Sequence, residues 1–149
     1  SKIAINQAKK FLNYKKIPKN KYFLKCTSSA DFFLKKKFFD VIISCASLDS
    51  MPTNEINQTI KKMEILLKKK GFLYVDLMGI KQKRKGKFLN KFDQIVKENH
   101  EKGTIQSYWN LNRIKIKFKN FKIVNIRLVT TKEKNKITDE RYYCIFKKI

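Results

Sequence analysis

Apolar residues recur at helical spacing at the beginning of the chain. They form one stripe, with lysines on the opposite face, at positions Ala4, Ala8, Phe11 and Leu12. This pattern predicts an amphipathic helix, and Ser1 is the expected N-cap because its hydroxyl can accept a hydrogen bond from a first-turn amide. Pro18 ends the pattern, and a short strand is expected at residues 22–26. The polar residues 27–29 then predict a turn that caps a brief helix over residues 31–34.

Two apolar segments flank a second helical pattern. Residues 39–47 are apolar at consecutive positions and rich in β-branched side chains, which is typical of a parallel strand covered on both faces. A helix capped by Thr53 should follow, with its apolar face at Ile56, Ile60, Met63 and Leu67. It is expected to end in lysines 68–70, with Gly71 as a left-handed C-cap. A second strand is expected at residues 72–78. Strand, helix and strand in this order predict the α/β class with a right-handed crossover.

The remaining residues predict a different pattern. A basic loop is expected at residues 79–87, one helix over residues 88–102 and another over residues 110–119. The last two strands, residues 121–130 and 141–148, are joined by a polar segment and predict an antiparallel hairpin at the edge of the sheet.

The strong positive charge admits two explanations. The formal charge of +24, from 36 basic and 12 acidic residues, suggests nucleic acid or an anionic surface as a partner. Only four of the 36 are arginines, so 36 − 4 leaves 32 lysines, beside abundant Ile, Asn and Phe, a composition that an A/T-rich genome encodes. Proteins that read nucleic acid favour arginine for its planar fork, and these lysines are spread along the chain. Both explanations stay open.

Other site classes find little support in the composition. Cys26, Cys45 and Cys144 are odd in number and far apart, so no disulfide framework is expected. With one histidine and no cysteine pair at ligand spacing, no metal site is expected either. No apolar run approaches the ~20 residues that a membrane-spanning helix needs. We therefore expect a cytoplasmic protein without membrane contact, whose oligomeric state the sequence does not determine.

Three short motifs follow one another between residues 39 and 78. They are the strand opening Phe39-Asp40-Val41-Ile42, the turn with Leu48 and Met51-Pro52, and the helix end and strand entry of residues 63–73. Their order and spacing resemble the fourth strand, the following turn and the entry to the fifth strand of class I S-adenosylmethionine-dependent methyltransferases. Residues 1–10 resemble the helix after the family's second strand, and the terminal hairpin resembles its sixth and seventh strands.

The resemblance implies a Rossmann-like methyltransferase sheet, mostly parallel with a C-terminal antiparallel hairpin, and S-adenosylmethionine as cofactor. The family's glycine-rich turn has no counterpart here, since no two of the four glycines are closer than seven residues: Gly71, Gly79, Gly86 and Gly103. We therefore expect a single partial domain over residues 1–149, N-terminally truncated, missing the first two strands and inactive by itself. Its fourth strand should be left with an unpaired apolar edge.

The cofactor-binding residues that the resemblance implies are Ser28, Ser29, Asp31, Ser44, Cys45, Ala46, Ser47 and Leu48. Ser28 stands where the family commonly has an aspartate that meets the adenine amino group, and a turn-capping role is the alternative for Ser28 or Ser29. Residues 44–48 follow the fourth strand, in the crevice where open α/β sheets bind ligands.

The resemblance also implies residues that face the methyl acceptor. Asp49 is the expected catalytic residue, a general base needed only when the acceptor must lose a proton. The alternative is a solvated turn residue or an acid close to the start of a helix. The other acceptor-binding residues would be Ser50, Asp76, His100, Gln106, Tyr108 and Trp109. A surface or capping role is the alternative for His100, and a core position is the alternative for Tyr108 and Trp109.

Two functions follow from these observations. The leading prediction is S-adenosylmethionine-dependent methyl transfer to an unidentified acceptor, with a small molecule or a sugar favoured over RNA. The alternative is a lysine-rich module that binds nucleic acid and has no catalytic activity.

Overall fold

A computed structural model of the chain describes residues 1–28, 31–32, 34, 38–82, 84–134 and 136–149, with the side chains of all of them except His100 and Lys136. The chain forms two compact units, residues 1–33 and residues 34–149. Within the described part, none of the helices is both long enough and apolar enough to cross a bilayer.

The first unit begins with the predicted amphipathic helix. Helix α1 spans Lys2–Tyr14, and its N-cap Ser1 accepts a hydrogen bond from the Ala4 amide at 3.4 Å. Both the helix and its cap are confirmed. A 3₁₀ turn at Lys19–Lys21 follows Pro18, and none of the α1 side chains is buried.

The strand predicted at residues 22–26 is wrong. Tyr22 is extended, with φ −145° and ψ 157°, but residues 22–28 pair with no strand in the described part of the chain. An extended segment becomes a strand only when a neighbour takes up its backbone hydrogen bonds. The brief helix expected over residues 31–34 includes residue 33, which lies outside the described residues.

The described residues of the second unit form seven strands and two α-helices. In chain order the elements are β1 (Phe39–Ser44), α2 (Thr53–Leu66), β2 (Leu67–Met78), β3 (Gly86–Phe88), β4 (Asp93–Val96), β5 (Ile105–Ser107), α3 (Leu111–Lys117), β6 (Phe121–Glu133) and β7 (Lys136–Lys148). The larger sheet has the order β1-β2-β7-β6, in which β1 and β2 are parallel and the other two pairs are antiparallel. The predicted α/β class, the strand–helix–strand connection between parallel strands and the terminal hairpin are confirmed; the right-handed sense of the crossover stays a prediction.

Strand β1 is one of the two edge strands of the larger sheet, and β6 is the other. Among the described residues no strand pairs with β1 on the side away from β2, and Val41 and Ile43 are 51% and 68% exposed. The unpaired edge expected for this strand is therefore present. The prediction that the strand is covered on both faces is wrong, because Val41 and Ile43 lie on the same face and that face is open.

The two ends of α2 differ from the prediction. The helix ends at Leu66, and the lysines 68–70 already belong to β2. The left-handed residue is Lys70, with φ 64°, and not Gly71. A Cβ atom at Gly71 would lie 2.8 Å from the Asp40 carbonyl oxygen. This glycine is therefore required by the close approach of two backbones, not by a left-handed conformation. The helix N-cap is Pro52 instead of Thr53.

The helix predicted over residues 88–102 is also wrong. The segment forms β3, β4 and a 3₁₀ turn at Asn99–Glu101, and with β5 it makes a three-stranded antiparallel sheet. The apolar residues of this segment fit the spacing of a helix and also that of a strand, so long-range hydrogen bonds determine which of the two forms. The Asn90 side chain accepts from the amides of Phe92 and Asp93 and fixes a turn, while Asp93 binds distant residues. The segment that contains this sheet leaves the end of β2 and returns to it, because Gly79 forms a bridge with Trp109.

The hydrophobic core lies between the larger sheet and helices α2 and α3. Its aromatic centre stacks Phe118 on Phe146 at 4.4 Å between ring centroids, with Trp109 and Phe121 beside Phe118. Burial of these rings holds α3, the hairpin and the end of the smaller sheet together.

Candidate active site

The carboxyl ends of β1 and β2 lie side by side because the two strands are parallel. Ser44 is the last residue of β1 and is paired with Val75, so Asp76 of β2 lies one position further along. After β1 the chain turns through Cys45, Ala46 and Ser47 into a 3₁₀ turn at Leu48–Ser50. In open α/β sheets this edge is where ligands bind.

Ala46 holds the turn in an unusual backbone conformation. Its φ of 47° lies in the left-handed region, which costs a residue with a side chain roughly 1–2 kcal/mol. The Ala46 amide donates to Oδ1 of Asp76 at 2.5 Å. This charge-assisted hydrogen bond ties the turn after β1 to the end of β2 and helps to offset the cost.

Asp49 is buried although it carries a carboxylate. The residue is 2% exposed, its Oδ2 atom accepts from Nη1 of Arg141 at 3.2 Å, and its carbonyl accepts from Nε2 of Gln106 at 2.8 Å. Its Oδ1 atom has no hydrogen-bond partner among the described residues. Burial raises the pKa of Asp49, and the nearby charge of Arg141 opposes that rise.

Arg141 faces three carboxylates at the start of the buried part of β7. Its guanidinium lies 3.2 Å from Asp49, 3.8 Å from Asp76 and 3.7 Å from Asp139. One cation among three acids makes this edge locally acidic in a chain whose net charge is +24. The site is thus electrostatically distinct from the rest of the protein.

The comparison with solved structures decides the fold. A methyltransferase dependent on S-adenosylmethionine from Clostridium acetobutylicum matches with a TM-score of 0.72 and 13% identity, over 99% of this chain and 72% of that one. The 1,6-didemethyltoxoflavin-N1-methyltransferase of Burkholderia thailandensis, solved with S-adenosylhomocysteine, matches with a TM-score of 0.60 and 9% identity. The match covers 82% of this chain and 48% of that one. The chain has the class I methyltransferase fold.

Other comparisons add limits to this result. No protein-family model and no curated protein sequence matches the chain. The [4+2]-cyclase SpnF has the same fold, with a TM-score of 0.73 and 11% identity, over 99% of this chain and 64% of that one. The chain therefore spans about half to three quarters of the length of these structures. At such identities the class I methyltransferase fold is established and the reaction is not.

The other residues predicted for the cofactor lie in both units. Ser44 is 5% exposed, and its hydroxyl has no partner among the described residues. Cys45 and Ala46 are exposed, Leu48 is buried, and the Ser47 hydroxyl donates to the Cys45 carbonyl at 2.9 Å. In the first unit, the Ser28 hydroxyl donates to Oδ2 of Asp31 and accepts from its amide. Ser29 lies outside the described residues.

The residues predicted for the acceptor fall into three groups. Asp49, Asp76 and Gln106 converge at the carboxyl edge, and the exposed Ser50 adjoins them. Tyr108 and Trp109 have no exposed surface; the Tyr108 hydroxyl donates to Gln94 at 2.6 Å and accepts from the Arg84 amide at 2.9 Å. His100 lies in the 3₁₀ turn before β5, and its side chain is outside the described ones.

A buried polar network behind the site was not anticipated from the sequence. Asp93 accepts hydrogen bonds from the backbone amide and the hydroxyl of Thr53, from the hydroxyl of Ser107 and from the side-chain amide of Asn90. Burial alone would raise the pKa of Asp93, but these hydrogen bonds outweigh it and the pKa is lowered. Arg113 binds both Thr53 and Ser107. The network anchors the start of α2, only four residues after Asp49.

Arginine usage is the signal that could have revealed both clusters. The chain has four arginines against 32 lysines, and Arg84, Arg113 and Arg141 each form ion pairs with carboxylates. A planar guanidinium binds buried acids better than a strongly hydrated ammonium does. In this lysine-rich chain, three of the four arginines therefore mark positions where that geometry is used.

Proposed function

We propose that this chain supplies part of the site for S-adenosylmethionine-dependent methyl transfer to a small-molecule acceptor. The observation that carries the proposal is the buried carboxylate of Asp49 at the carboxyl edge of a class I methyltransferase sheet. Arg141 binds its Oδ2 atom, and Gln106 donates to the Asp49 backbone carbonyl. A buried acid with one unpartnered oxygen at a ligand-binding edge is characteristic of functional sites.

The residues at the end of β1 are suited to hold one side of the cofactor. Ser44 supplies a buried hydroxyl that has no partner among the described residues, and the left-handed turn at Ala46 exposes backbone next to it. We assign Ser44, Cys45, Ala46, Ser47 and Leu48 to cofactor binding. The cofactor roles that the sequence predicts for Ser28, Ser29 and Asp31 stay predictions. When bound, S-adenosylmethionine supplies an electrophilic methyl group on a sulfonium.

Asp49 is assigned the role of general base toward the acceptor. Burial raises the pKa of its carboxyl, which makes the carboxylate a stronger proton acceptor. Oδ2 is held by Arg141, so Oδ1 is the atom that would take the proton. Because Asp49 is 2% exposed, this contact requires the turn at Leu48–Ser50 to move when the acceptor binds. Ser50, Asp76 and Gln106 would orient the acceptor beside it.

The 149 residues should bind the cofactor weakly and show no turnover by themselves. Close approach of the backbone to this type of ligand needs a turn with closely spaced glycines. The four glycines of the chain are at least seven residues apart. The missing contacts would lower the affinity into the millimolar range without changing where the ligand binds.

Nuclear magnetic resonance suits such weak binding. Titrating the labelled protein with S-adenosylhomocysteine should shift the amides of residues 44–48 and of Asp76 in a saturable way. Ser44→Ala should weaken the binding, whereas Ser50→Ala, three residues beyond Ser47 and assigned to the acceptor, should leave it unchanged. Saturable shifts confined to another part of the chain, or none at these amides, would refute the proposal. The nucleic-acid-binding alternative receives no support from the structures that match.

A further inference from the structure

A cavity of about 330 Å³ lies on another part of the second unit. Its walls come from the start of α2, the segment before β4 and helix α3, and they include Lys91, Phe92, Asn112, Ile116 and Lys117. None of the residues assigned above to cofactor or acceptor lines it. Its volume is at the lower end of the range of small-molecule sites.

The lining is cationic and contains no acid. Arg113 lies in the wall, 3.8 Å from Asp93. Burial lowers the pKa of Arg113 to about 10, so the guanidinium stays protonated at neutral pH and Asp93 balances it. Lys91 and Lys117 form no ion pair with a carboxylate of the described residues. The Nζ of Lys117 donates at 2.6 Å to the neutral side chain of Asn57, which lies in the wall of a neighbouring cavity that Lys117 also lines. Two positive charges are therefore left without a counter-ion.

The wall behind these lysines is held rigidly. The Arg113 guanidinium is sandwiched between the rings of Phe92 and Trp109, at 4.4 and 4.3 Å from their centroids. It also donates to the hydroxyls of Ser107 and Thr53. A fixed wall lowers the entropic cost of binding a ligand.

We propose that this cavity binds the phosphate group of a small organic phosphate monoester, with Lys91 and Lys117 as its counter-ions. A phosphate monoester carries about −1.5 to −2 charges at neutral pH and so matches two uncompensated lysines, whereas a carboxylate matches one. The amide of Asn112 offers a neutral donor at the same rim. Phe92 and Ile116 provide the apolar surface for the organic part.

Phenyl phosphate, inorganic phosphate and acetate are the probes that test this assignment, again by amide shifts. Phenyl phosphate should shift Phe92, Asn112 and Lys117 in a saturable way and bind more tightly than inorganic phosphate, with acetate the weakest. The double variant Lys91→Gln with Lys117→Gln should weaken phenyl phosphate binding about tenfold or more. The matched control is Lys87→Gln with Lys115→Gln, which removes the same charge from exposed positions outside the cavity.

Three results would overturn the assignment. They are an equal loss of affinity in the control variant, acetate binding as tightly as phenyl phosphate, and shifts spread over the lysine surface. If the double variant does not fold, Lys91→Gln against Lys87→Gln gives the same comparison, because neither side chain holds a carboxylate in the described residues. The cavity shares no residue with the carboxyl edge, so either result leaves the proposed methyl transfer untouched.

Discussion

Nη1 of Arg141 lies 3.2 Å from Oδ2 of Asp49, and the two residues are 92 positions apart in the chain. The pair joins the turn after β1 to the part of β7 that pairs with β2, which begins at Arg141. Because the Asp49 side chain is 2% exposed, its charge depends on this one guanidinium for compensation. Arg141 is thus the residue that makes a buried acid tolerable at the carboxyl edge.

Removing that guanidinium should be costly. We expect Arg141→Gln to lower the free energy of unfolding by about 3 kcal/mol, because it leaves a buried carboxylate without its counter-charge. Urea denaturation measures the change. Asp49→Asn in the same chain should recover part of the loss, since the neutral side chain no longer needs the arginine. Additive effects of the two substitutions would contradict the coupling.

The titration of Asp49 offers a second prediction. Its carboxyl should titrate above the ordinary pKa of 3.8, because burial raises the pKa more than Arg141 lowers it. Relative to Asp49→Asn, the native chain should therefore lose stability as the pH rises from 3.8 through the folded-state pKa. Carbon-detected resonance of the carboxyl group reads the midpoint directly, and Arg141→Gln should raise it further. A midpoint below 3.8 would be inconsistent with a desolvated carboxylate.

Asp93 should show the opposite dependence on pH. Hydrogen bonds from Ser107, Asn90 and Thr53 overcome the effect of burial and lower its pKa, so its stabilising contribution is present above 3.8 and is lost as the pH falls through the folded-state value. At neutral pH, Asp93→Asn should cost about 2 kcal/mol. Glu55→Gln, an exposed acid in the first turn of α2, should cost under about 0.5 kcal/mol. Equal effects of the two substitutions would remove Asp93 as the anchor of α2.

Much of the fold follows from local sequence patterns. The apolar residues within Phe39–Ser44 favour a strand, and the helical spacing of apolar residues in Thr53–Leu66 favours a helix. Both elements are present in the structure. The segment before β5 is compatible with two structures, because its apolar residues suit a helix or a strand. Which of them forms depends on hydrogen bonds between Asp93 and residues as distant as Thr53. The role of Arg141 could not be predicted for the same reason, because its partners Asp49 and Asp76 are remote in sequence.

The left-handed turn at Ala46 leads to a further prediction. Glycine adopts φ near 47° without the side-chain penalty, so Ala46→Gly should raise the free energy of unfolding by about 0.5–1 kcal/mol after its greater unfolded-state entropy is included. Ala8→Gly in the middle of α1 should instead lower the local helix stability by about 1 kcal/mol. Thermal denaturation and hydrogen exchange measure the two effects. If Ala46→Gly were destabilising, the assigned conformation of the turn would be wrong.

The central claim is that the carboxyl edge of β1 binds S-adenosylmethionine, and photochemical crosslinking tests it most directly because it traps weak complexes. Residues 38–61 contain no lysine or arginine before Lys61, so trypsin releases Ser44, Asp49 and the whole turn between them in one peptide. After irradiation with methyl-labelled S-adenosylmethionine, we expect the label in this peptide, and we expect S-adenosylhomocysteine to suppress it. Label spread over other peptides, or insensitive to S-adenosylhomocysteine, would contradict the account.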